Sequence, residues 1–106
     1  MDEFDGKCAR QDPTNGMLPL TDLGLGTIVG DGMDEFTDVE TCLDRCAQTQ
    51  GAIACEYAQK RPLGYGSGDY FSVTVRCTAF TTKAEGGKET DRDLEEYCLN
   101  FEHFKA

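Results

Sequence analysis

The chain has 106 residues, 39% of them hydrophobic, with no tryptophan, which suffices for one domain with a moderate core and is too short for two. Twenty acidic against ten basic residues give a formal charge of −10; such a surface repels nucleic acid, heparin-like polyanions and anionic membranes and favours cationic or neutral partners. Six cysteines in this length exceed cytosolic habit and are read as three disulfides in an oxidising compartment, with the pairing left open by the count.

Residues 1–7 read as a frayed acidic tail, and the ordered domain is expected over 8–104. The opening Met1-Asp-Glu-Phe-Asp5 has neither the basic start nor the apolar run of a secretory signal, so a mature chain or an excised module is expected. No stretch approaches the roughly 20 apolar residues of a membrane span, so membrane insertion is not expected. Asp12-Pro-Thr-Asn-Gly16 is a turn cluster. Met17–Leu20 and Leu23–Val29 are apolar but broken by Pro and Gly, predicting irregular extended segments with one short strand near Thr27–Val29. Asp31 could start a calcium loop, but Met33 and Phe36 then occupy positions that require an oxygen ligand and a glycine, so a solvated turn is expected.

A helix follows. Thr37 with Glu40 three residues on is a capping-box signature, and acidic residues crowd the first turn. Val39, Leu43 and Ala47, with Cys42 and Cys46 beside them, share one face, and Gly51 is placed to end the helix in the left-handed region. Two cysteines four apart on that face predict a helix bolted twice to a neighbouring layer. Cys55 and Tyr57 alternate as a strand would, until Pro62 ends any pairing. The clearest strand has Phe71, Val73, Val75 and Cys77 on one side, continued by Ala79, with Phe80 on the other. Lys83–Lys88 reads as a solvated loop. In the last segment Leu94, Tyr97, Phe101 and Phe104 have helical spacing, whereas Tyr97, Leu99 and Phe101 alternate; a strand through Cys98 is the reading adopted, with a helical turn before it as the alternative.

Chemistry has few candidates. His103 is the only histidine and has no identifiable nucleophile or orienting carboxylate, so catalysis through it is not expected. Zinc is the rival use of the cysteines, but the paired Cys-x-x-Cys knuckles of zinc sites are missing, so no metal or other cofactor is expected. Glu95-Glu96 and Asp34-Glu35 are assigned to solvated surface. The glycine-rich loop Gly64–Asp69 lacks the Lys-Ser/Thr pair of a phosphate cradle. It does place Tyr65 and Tyr70 beside Asp69: rings for stacking on sugar or peptide, and an acceptor for hydroxyls or a cation. The alternative is a hairpin tip whose tyrosines cover a sheet edge.

The order of parts resembles a PAN/apple domain. Cys8 precedes a long loop, then a helix with Cys42-x-x-x-Cys46, a strand with Cys55-Glu-Tyr57-Ala, a strand with Cys77-Thr-Ala-Phe80, and a final Cys98. The likeness spans residues 8–101. The stretch from Cys8 to Cys42 is longer than usual in the family, and so is the eight-residue gap between Cys46 and Cys55, which bears on loop shapes rather than topology. The resemblance implies an α+β fold, a twisted antiparallel sheet wrapped around a single helix, with Cys8–Cys98, Cys42–Cys77 and Cys46–Cys55 paired. It further implies a secreted, extracellular module of adhesion and recognition that is not an enzyme and binds an extracellular protein or a carbohydrate. Two other functions are carried forward: a small secreted inhibitor or effector, which the glycine content of the 64–69 loop disfavours, and a self-associating unit of an extracellular assembly.

Overall fold

A computed structural model describes residues 2–14, 16–31, 39–60, 74–89 and 94–101. Among them are eight strands and one α-helix: β1 (Asp2–Asp5), β2 (Lys7–Asp12), β3 (Gly16–Pro19), a 3₁₀ turn (Thr21–Leu23), β4 (Gly26–Asp31), α1 (Val39–Gln48), β5 (Ala54–Lys60), β6 (Thr74–Phe80), β7 (Gly86–Lys88) and β8 (Leu94–Asn100). All strand pairs are antiparallel. The α+β class, the helix and the strands around Cys55, Cys77 and Cys98 are therefore present.

The expected single sheet is instead two, a five-stranded sheet in the order β1-β8-β5-β6-β4 and a three-stranded sheet in the order β3-β2-β7. The reason lies in the central strands, which bury both of their faces. On one side, Cys55, Tyr57, Val75, Cys77 and Ala79 pack with Cys42 and Cys46 of α1. On the other, Ala54, Phe80 and Cys98 pack with Cys8, Leu20 and Ala84. A sheet buried on both faces requires two covering layers, and a single helix supplies only one. Val75, Cys77 and Ala79 do share a face, with Phe80 opposite, as alternation requires.

Segments read as loose are pinned by that second layer. Residues 2–5 of the supposed tail form β1, in register with β8 from Asp2↔Asn100 to Asp5↔Tyr97, and Phe4 packs against the cluster around Cys8 and Cys98. The supposed loop 83–88 contains β7, paired with β2, and buries Ala84. Asn100, 1% exposed, holds Ala84 with two bonds: its Oδ1 accepts from Ala84 N–H (2.9 Å) and its Nδ2 donates to Ala84 O (2.8 Å). Gly6 makes the corner where the chain leaves one sheet for the other. Its φ is +93°, and a Cβ there would run into the Lys88 carbonyl.

In α1 the buried side chains are Cys42 and Cys46, with Val39 and Leu43 half-buried against the same cluster. Ala47, expected on this face, is exposed, because the two disulfides centre the buried stripe on Cys42 and Cys46. The helix ends at Gln48, where Thr49 Oγ1 donates to Arg45 O at 2.9 Å, and Gly51 follows at φ +81° in the turn to β5. Thr37, Phe71, Val73, Phe104 and the 31–36 loop beyond Asp31 lie outside the described residues.

Candidate functional site

Three disulfides fix the layers to one another. Cys42–Cys77 and Cys46–Cys55 tie α1 to β6 and β5, with Cα–Cα distances of 5.6 and 5.9 Å. Cys8–Cys98 ties β2 to β8 on the opposite face, at 5.0 Å. These are the pairs the resemblance implied. The two helix disulfides lie side by side: Cys42 Sγ is 3.4 Å from Cys55 Sγ, and all four sulfurs fall within 4.8 Å of one another. As disulfides they carry no thiolate, the form in which cysteine ligates zinc, so this cluster acts as a double rivet.

Between the sheets lies a buried acid. Glu56 points away from the helix and is 5% exposed, and its Oε1 accepts the Cys8 N–H at 2.7 Å. Loss of water around it pushes its pKa from 4.5 up to about 7; the Cys8 bond opposes the rise, the charge of Glu96 adds to it, Lys7 opposes it and Asp22 adds. Glu96, assigned from sequence to solvated surface, is buried at 6% exposure. Adjacent glutamates on a strand point to opposite faces, so Glu95 and Glu96 were never equivalent. Glu56 sits in the seam that holds the two sheets together.

An opening does exist on the helix side. Helix α1 packs chiefly over β5, β4 and β6, toward the end of the sheet away from β1. The result is a groove of about 410 Å³ between the helix and strands β8 and β1, within the range of small-ligand sites. Val39 and Leu43 of α1 form its wall, and Tyr97 and Leu99 of β8 with Glu3 and Asp5 of β1 form its floor. Cross-strand register puts these side chains on one face, Glu3 opposite Leu99 and Asp5 opposite Tyr97. Tyr97 is 39% exposed, and its ring stacks on that of buried Tyr57, its partner across the β5–β8 ladder, with centroids 6.4 Å apart and planes at 25°. The aromatic surface is therefore held in place before any ligand arrives.

Of the residues singled out from sequence, the six cysteines are brought together as three bonds. Tyr65, Asp69 and Tyr70 lie outside the described residues, as do His103 and the Asp34-Glu35 pair. The groove residues were missed. Tyr97 and Leu99 carried a signal in their alternation, but Glu3 and Asp5 were assigned to a tail, and only the β1–β8 pairing brings them to the tyrosine. The chain matches no protein-family model, no curated protein and no solved structure.

Proposed function

We propose that the protein is a secreted, non-catalytic recognition module of the PAN/apple type that binds an extracellular protein or carbohydrate. The observation that carries this reading is the groove beside α1: a rigid tyrosine and apolar walls, open to solvent, on a frame riveted by three disulfides. Preorganised aromatic surface favours non-covalent recognition, because little side-chain freedom is lost on binding. Three disulfides suit an oxidising extracellular setting, and no described helix is long and apolar enough to cross a membrane. A net charge of −10 favours cationic or neutral partners over heparin-like polyanions.

The test is a screen of the oxidised protein against immobilised glycans and secreted proteins, followed by Tyr97→Ala on any hit. Saturable binding that Tyr97→Ala weakens at least tenfold supports the reading. If no partner is retained in either screen, or a bound molecule is turned over, recognition is the wrong function.

A second reading, self-association, has one observation in its favour: Leu23, Leu25 and Ile28 are 41, 37 and 52% exposed along and beside the edge strand β4. A bulge between Ile28 and Gly30 breaks the regular edge that a second copy would extend. Light scattering over a concentration range decides it, a constant monomer mass removing the reading.

A further inference from the structure

The groove has a charge as well as a shape, and the two together narrow its ligand. Glu3 and Asp5 are exposed, and among the described residues neither is ion-paired. Gly6 N–H donates to Glu96 O at 2.9 Å, so the next pair along the ladder, Asp5 and Tyr97, is of the non-hydrogen-bonded kind, in which opposed side chains lie closest. The Asp5 and Tyr97 side chains thus leave the ladder side by side, and Glu3 leaves it on the same face two residues away. Behind them half-buried Val39 and Leu43 offer apolar surface, and Leu99, 5% exposed, closes the floor. An acid beside a fixed aromatic face, with an apolar back wall, is the environment that suits a guanidinium group on an aliphatic stem.

The geometry points to the groove as a docking site for an arginine side chain presented by an extracellular protein. This rests on the recognition reading and names its ligand. The planar guanidinium lies against Tyr97, and its N–H groups donate to the Asp5 and Glu3 carboxylates. Its methylene stem and a flanking apolar residue of the partner cover Leu99, Leu43 and Val39. Arginine fits better than lysine because it stacks and can serve two carboxylates at once, whereas an ammonium is a compact, strongly hydrated charge. The overall charge of −10 steers such a segment toward the protein at low ionic strength. A neutral sugar would stack on the tyrosine and donate hydroxyls to the carboxylates, but it would leave their two charges uncompensated.

The probe is acetyl-Leu-Arg-Leu-amide, titrated into the ¹⁵N-labelled oxidised protein and followed by amide chemical shifts, with the neutral citrulline analogue in parallel. Saturable shifts are expected at Glu3, Asp5, Val39, Leu43, Tyr97 and Leu99. Binding should weaken roughly fivefold in each of Glu3→Gln and Asp5→Asn, and several-fold on raising salt from about 0.05 to 0.5 M. Both carboxylates are exposed, and the citrulline arm uses the native protein, so the outcome does not depend on a variant folding. Equal affinity for the citrulline peptide overturns the assignment while leaving the groove as a neutral-ligand site. Shifts centred elsewhere, or no saturation at millimolar peptide, overturn the groove as the arginine site; the recognition function itself is decided separately, by the partner screen.

Discussion

Glu56 gives the fold a stability that depends on pH in an unusual direction for a carboxylate. In the unfolded chain it titrates near 4.5, and in the folded protein burial pushes it up to about 7. Below pH 4.5 it is protonated in both states and costs nothing. Between 4.5 and 7 the unfolded chain releases the proton while the folded one retains it, so stability falls as pH rises. Above 7 both are ionised, and the native state carries a charged carboxylate between its sheets. The interval between the two values corresponds to about 3 kcal/mol, lost progressively across that window. Glu56→Gln removes the charge and retains an oxygen for the Cys8 N–H. Urea unfolding of the oxidised protein and the variant, from pH 4 to 8, isolates the effect from the other acids, which both share. The two should differ little in slope with pH below 4.5 and diverge above it. By pH 8 the variant's midpoint should have gained roughly 2 M urea relative to the parent, for a slope of about 1.5 kcal/mol/M. Parallel stability profiles across pH 4–8 would refute the claim that burial of this carboxyl controls the dependence.

Three further outcomes follow from the layers. In the chain-entropy account, closing the 90-residue separation of Cys8–Cys98 contributes about 4–5 kcal/mol and the 9-residue separation of Cys46–Cys55 about 3, so Cys8→Ala/Cys98→Ala should lower the urea-derived stability more than Cys46→Ala/Cys55→Ala does. Asn100→Ala leaves the buried Ala84 amide and carbonyl without their partners and should cost about 2–4 kcal/mol, with faster hydrogen exchange over β7 than over β6. Gly6→Ala forces a side chain into the Lys88 carbonyl at a left-handed position and should lower the melting temperature by several degrees, whereas Gly24→Ala, left-handed but with open space around it, should lower it less.

The parts of the fold legible in sequence are those fixed by local spacing. Cys42 and Cys46 lie four apart, which on a helix means one face, and both are buried on that face. Val75, Cys77 and Ala79 alternate with Phe80, and the strand divides them between two clusters. Cys55 and Tyr57 share a side for the same reason. Where period and residue type agree, tertiary context has little to override.

What the sequence by itself determined is thus an α+β domain whose one long amphipathic helix carries two cysteines to an inward-facing strand surface, because helix and strand periodicities act over a few neighbours. Only the tertiary structure decided the second sheet and the groove. Residues 2–5 and 86–88 have weak strand preference of their own, and they form strands because β8 and β2 offer edges to pair with. Glu96, read as a surface acid, is buried together with Glu56 because a second layer closes over them. Asp5 reaches Tyr97 from 92 positions away only through that edge pairing, a contact whose cost is the closing of a long loop and which no local pattern records.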